Sequence, residues 1–96
     1  MFVISLRYIK PIAEVDRVRP AHMIFLKKYY AAGNFVLSGR KSPVTGGIII
    51  AQAVSIDEIQ QIIQEDPFYT EQIAEFEIIE FSPNLAKEGL EQLVET

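Results

Sequence analysis

The chain has no cysteine among its 96 residues and only one histidine. Without thiols there is no disulfide frame, no thiolate nucleophile and no cysteine-ligated zinc. A single imidazole excludes a multi-histidine metal site within one chain, so neither metal nor cofactor is expected. Glycine-rich phosphate cradles are missing as well. Gly46-Gly47 fits a tight turn, and no GxGxxG or GxxxxGK[ST] pattern occurs. No apolar run approaches the ~20 residues of a membrane span. The longest clean one, Ile48-Ile49-Ile50-Ala51, has the length of a strand. Met1 to Arg7 lacks a basic region ahead of a long apolar stretch and reads as a strand rather than a signal peptide. The expectation is a cytoplasmic protein with no membrane partner.

What is present is globular composition, 49% hydrophobic and 23% charged, in a length suited to a single domain over residues 1–96. The net charge of −4 hides a division along the chain. Residues 1–50 carry eight Lys and Arg against Glu14 and Asp16, a balance of +6. Residues 51–96 carry Lys87 alone against eleven acidic residues, a balance of −10. Such halves neutralise each other within a fold or across a dimer, or leave a positive pocket in the N-terminal half. Solvated faces with scattered salt bridges account for most charge of this kind. Nucleic acid is not expected as a partner, because aromatic interleaving is poor and the acidic half would repel a phosphate backbone.

Periodicity orders the elements. Phe2 to Ile9 alternates as a strand, with Phe2, Ile4, Leu6 and Tyr8 on one side. Pro11 to Asp16 is expected as loop, with Asp16 capping a helix that carries Met23, Leu26, Lys27, Tyr30 and Ala31 and ends at Gly33-Asn34. Strands at 35–38 and 48–54 form a hairpin across the turn Pro43 to Gly47. Ser55-Ile56-Asp57-Glu58 is a capping box opening a helix with Ile56, Ile59, Ile62 and Ile63 on one face. Asp66-Pro67 breaks that helix and Phe68 to Gln72 makes a short turn. A fourth strand spans 74–81, and a C-terminal helix is expected over about 84–95 after a core of about 1–82. This is an α+β, ferredoxin-like βαββαβ order with a four-stranded antiparallel sheet. Helices cover one sheet face only, so a second copy of the chain is expected over the other.

His22 alone has an ordinary titration range near neutrality, which makes it the proton-transfer candidate. A helix histidine can also simply fill space beside a sheet. Asp66 is the second candidate, and an Asp before proline commonly caps the next turn. The two lie 44 positions apart, so only the fold could join them. Ser38 has no surrounding signature of an activated nucleophile.

Val18-Arg19-Pro20-Ala21-His22, Gly33, Ser38-Gly39, Gly46-Gly47 and Asp66-Pro67-Phe68, in this order, resemble the YciI-like (YCII-related) family. The resemblance runs from the first strand to about Pro83. It implies a dimeric α+β barrel, related in architecture to muconolactone isomerase, in which His22 and Asp66 meet in a cleft as a catalytic pair. The family often has Gly-Pro where this chain has Gly39-Arg40, which puts a cation at the rim of that site. The terminal helix after Pro83 is less typical of short members.

Under this reading Asp66 holds the imidazole in one tautomer while His22 takes or gives a proton. Arg7, Arg19 and Arg40 are candidates for binding an anionic group, with Ser38 beside them as a substrate-binding residue. The expected function is metal-free isomerisation, elimination or dehydrohalogenation of a small lactone or carboxylate. The competing class is a non-catalytic dimeric module that binds a metabolite or a protein.

Overall fold

The computed structural model describes residues 1–53 and 55–95. The elements are β1 (Phe2–Tyr8), α1 (Ile12–Ala31), β2 (Phe35–Arg40), β3 (Gly46–Ala51), α2 (Ile56–Ile63), α3 (Pro67–Thr70) and β4 (Ala74–Glu80). The strands form one antiparallel sheet in the order β2-β3-β1-β4, the ferredoxin-like arrangement. Val54, expected at the end of the third strand, lies outside the described residues.

β1 supplies the sheet's axis. Phe2, Ile4 and Leu6 are buried beneath the helices, whereas Val3, Ser5 and Arg7 take the other face by simple alternation. The register sets Ile4 against Ile49 on one side and Ile78 on the other. α2 closes over this core with Ile59, Ile62 and Ile63 buried, each worth about 1.5–3 kcal/mol when fully removed from water. Its start follows the expected cap, since the Glu58 amide donates to the Ser55 hydroxyl at 3.3 Å.

Three expectations are corrected. α1 begins at Ile12 directly after Pro11, not at Asp16, and Pro20 sits in its interior. Val15 and Val18, exposed to 0% and 2%, pack into the core two turns and one turn ahead of His22. That packing offsets the ~3 kcal/mol that an interior proline costs a helix. The buried stripe is therefore Val15, Val18, His22, Phe25 and Leu26, and the Lys27 and Ala31 positions face solvent. Gly33, at φ +89°, ends the helix in the left-handed region.

The C-terminal helix does not form. Among the described residues after β4 there is one 3₁₀ turn, Glu91–Leu93. Leu85 is 88% exposed and Gly89 adopts φ +98°, so no continuous apolar face docks there. A segment of that length needs such docking to stay helical. It is tied down at its end instead, where the N-terminal ammonium meets Glu95 at 2.7 Å and the Glu95 amide donates to the Pro83 carbonyl at 2.8 Å.

The third correction concerns the hairpin. β3 starts at Gly46 rather than Ile48, and β2 runs on to Arg40. A Cβ at Gly46 would stand 1.7 Å from the Leu6 carbonyl oxygen, so the close pairing of β1 and β3 requires glycine there. Gly46→Ala is expected to push β3 away from β1 and lower the melting temperature by several degrees. Gly39→Ala, with open space around its Cβ position, serves as control. Equal melting temperatures for the two variants would contradict this account.

Candidate functional site

A cleft of about 250 Å³ lies between α1 and the β2–β3 hairpin. Its apolar wall comes from Leu6, Leu26 and Ile49, and its polar rim from Arg19, His22, Ser38, Arg40 and Tyr8. The pleat explains this set. Leu6 and Tyr8 point to the helix side of β1; Gly47 and Arg40 share the row of Leu6, and Ile49 and Ser38 the neighbouring row of Ile4. On α1, Arg19, His22, Met23 and Leu26 fall three and four apart on the strip that overhangs these strands.

The fold brings His22 and Asp66 together. His22 Nδ1 and Asp66 Oδ1 are 2.8 Å apart, with the His22 side chain 11% exposed and Asp66 fully buried. Asp66 Oδ1 also accepts from the Phe68 amide at 2.9 Å, capping α3. One carboxylate oxygen thus serves both roles that the sequence allowed. Asp66 Oδ2 is buried without a hydrogen-bond partner among the described residues, an arrangement that costs about 1–3 kcal/mol. A carboxylate facing Nδ1 accepts from it, which fixes Nδ1 as the donor nitrogen and turns Nε2 to the other side of the ring. Among the described residues Nε2 has no partner, and the residue it belongs to lines the cleft. The Phe68 ring stacks on the imidazole at 4.0 Å and 8°, fixing its plane.

Neighbouring pairs fix the corner that carries Asp66. Lys28 Nζ donates to Glu65 Oε1 at 2.6 Å and the Tyr29 hydroxyl donates to Glu65 Oε2, joining α1 to the end of α2. The Lys28 ammonium, then the Tyr29 hydroxyl, hold the Glu65 carboxyl below the usual carboxylate range. Ser38 Oγ lies 2.6 Å from the Tyr30 hydroxyl, which holds it at the cleft wall.

The expected anion-binding residues divide. Arg19 and Arg40 line the cleft. Arg40 approaches Asp16 only at 4.0 Å, and Arg19 has no ion-pair partner among the described residues. Arg7 is a correction: it lies on the opposite sheet face, outside the cleft and paired with Glu75. Strand alternation puts it there, one residue out of phase with Leu6 and Tyr8. Tyr8 is the cleft residue that sequence reasoning left unassigned. Its signal was a polar-tipped ring at the end of the apolar stripe Phe2, Ile4, Leu6. Among the described residues no group of three or more His, Asp or Glu side chains converges as a metal site.

An antiparallel sheet backed by helices, with a buried His–Asp contact at the wall of a small cleft, defines a small α+β domain with a candidate acid–base site. The chain belongs to the YCII-related domain family, whose model matches residues 1–82. No curated protein matches it. Among solved structures it is similar to 5-chloro-2-hydroxyhydroquinone dehydrochlorinase (TftG) from Burkholderia phenoliruptrix AC1100, in complex with 2,5-dihydroxybenzoquinone. The TM-score is 0.68 at 20% identity, covering 86% of this chain and 95% of that one. This likeness supports the ferredoxin-like α+β fold.

The geometry predicts a single neutral imidazole tautomer. Nitrogen NMR should report His22 protonated at Nδ1 and unprotonated at Nε2, and Asp66→Asn should mix the tautomers. An unchanged tautomer in Asp66→Asn would mean that Asp66 serves only as the cap of α3.

Proposed function

We propose that the cleft is the active site of a metal-free enzyme that moves a proton next to a carbonyl in a small anionic molecule. The observation that carries this reading is the buried 2.8 Å contact between His22 Nδ1 and Asp66 Oδ1, which leaves Nε2 to face a ligand. His22 Nε2 takes a proton from carbon, and the C–H electrons form a double bond toward the carbonyl carbon. In an elimination a halide or carboxylate then departs from the adjacent carbon. In an isomerisation the imidazolium returns its proton at another position. Asp66 stabilises the imidazolium while the charge is present, and a positioned acid–base residue of this kind contributes about 10²–10⁴-fold.

Arg19 and Arg40 bind the substrate's anionic group, each charge-assisted hydrogen bond adding about 1.5–3 kcal/mol. The dehydrochlorinase named above offers a concrete reaction to try, loss of HCl from 5-chloro-2-hydroxyhydroquinone, whose ring diketone tautomer has a C–H beside one carbonyl and the chlorine on the adjacent carbon. Chloride release by the wild type, reduced at least a hundredfold in His22→Gln, is the expected result. Calorimetry should show small dicarboxylates bound more tightly than neutral lactones, with Arg19→Met and Arg40→Met each weakening the former. Ligand binding without turnover of any chlorinated or lactone substrate would instead favour a binding module. Equal binding of neutral and anionic ligands would remove the anion site.

The cleft belongs, on this reading, to a homodimer. Leu37, Ile50, Val3 and Ile79 stand in one row across the four strands on the face without helices. Leu37 is 66% and Ile79 49% exposed, an apolar stripe that a second copy of the chain would cover. Sedimentation at micromolar concentration should give twice the chain mass; a monomer would end this part of the proposal.

A further inference from the structure

Tyr8 closes β1 on the helix side of the sheet and lines the cleft together with His22. Its backbone is held, since its amide donates to the Thr45 carbonyl at 2.9 Å. Its ring is held too, edge-on to Phe68 with centroids 6.0 Å apart. Phe68 in turn stacks on His22, so a single phenyl ring spaces the phenol from the imidazole. The hydroxyl is different. Among the described residues it makes no hydrogen bond, a property it shares only with the exposed Tyr69 outside the cleft, whereas the Tyr29 and Tyr30 hydroxyls both have partners.

A tyrosine whose ring is fixed and whose hydroxyl is left open in a cleft is built to meet a ligand. Removing a proton beside a carbonyl moves two electrons onto the carbonyl oxygen. That oxygen needs a donor already in position, because reorganising one during the reaction would be costly. His22 cannot supply it, since its Nδ1 proton is committed to Asp66 and its Nε2 is the base. Arg19 and Arg40 are on the α1 and β2 walls, and the proposed function assigns them to the substrate's own anionic group.

We propose that Tyr8 is a catalytic residue whose hydroxyl donates a hydrogen bond to the carbonyl oxygen of the substrate as that oxygen becomes an oxyanion. In the step, the C–H bond breaks, its proton goes to His22 Nε2 and its electron pair forms the new C=C bond. The carbonyl π pair settles on oxygen, and the Tyr8 O–H stays intact as donor. When the oxygen pair re-forms the carbonyl, the C=C pair shifts to the bond with the adjacent carbon and the halide or carboxylate leaves with its bonding pair. The proposal rests on the acid–base reading of the cleft and adds the residue that completes it.

The test uses Tyr8→Phe, which keeps the ring against Phe68 and removes only the hydroxyl. Its probe is 2,5-dihydroxybenzoquinone, whose ionised hydroxyls offer oxyanions and whose visible band reports binding. Tyr8→Phe should bind it about 10- to 100-fold more weakly than the wild type. The His22 nitrogen spectrum should stay unchanged in the variant, which separates a lost contact from a disturbed cleft. In chloride release from 5-chloro-2-hydroxyhydroquinone, kcat should fall about 10²–10³-fold with KM much less affected. Wild-type and Tyr8→Phe affinities within twofold of each other would overturn the assignment while leaving the acid–base reading in place. A wild type that binds neither the quinone nor any of the dicarboxylates and lactones above would remove that reading, and the role of Tyr8 with it.

Discussion

The contact between His22 and Asp66 is the constraint around which the rest of the structure is arranged. It joins the middle of α1 to the corner between α2 and α3, two places 44 residues apart in the chain. Its geometry is enforced from every side. Phe68 stacks on the imidazole, the Phe68 amide shares the Asp66 oxygen, and Glu65 next door binds Lys28 and Tyr29 on α1. Burying a carboxylate with one oxygen unpartnered is unfavourable for folding alone. Residues that cost stability yet are held so firmly are the ones a site would be built from.

The opposed charges of the two chain halves follow the same plan. Arg7 pairs with Glu75, Arg17 with Glu71 and Lys28 with Glu65, so cations of the first half meet acids of the second within the fold. Each of these exposed pairs adds little to stability. Beside the cleft, by contrast, Arg19 has no ion pair among the described residues and Arg40 is held only loosely by Asp16. Two guanidinium groups without close partners at the rim of the cleft suit a small anion, which the proposed function uses.

Much of this was legible in the sequence, for definable reasons. Strand alternation in β1, the capping box at Ser55 and the helix-breaking Asp66-Pro67 are local signals, and each one sits where its chemistry demands. The pairing of His22 with Asp66 was not local, and only the resemblance carried on Pro20-Ala21-His22 and Asp66-Pro67-Phe68 joined them. α1 starts ahead of the expected Asp16 cap because burial of Val15 and Val18 decides it. The spacing of Ala86, Leu90, Leu93 and Val94 suggested a terminal helix, but Leu85 and Leu90 stay exposed and no continuous apolar face docks. The bulge between Phe35 and Leu37 left no mark in the residue pattern, yet it turns Leu37 to the open face and Ser38 and Arg40 to the cleft. Arg7 was misplaced by weighing charge ahead of pleat parity.

The central claim is that His22 Nε2, oriented through Asp66, is the atom that meets the substrate. A crystal structure of the protein soaked with 2,5-dihydroxybenzoquinone tests it most directly. The account predicts the quinone in the cleft between α1 and the β2–β3 hairpin, with His22 Nε2 within about 3.2 Å of a ring oxygen or ring carbon and Nδ1 still on Asp66. A quinone bound elsewhere, or bound in the cleft with the imidazole turned away from it, would contradict the account.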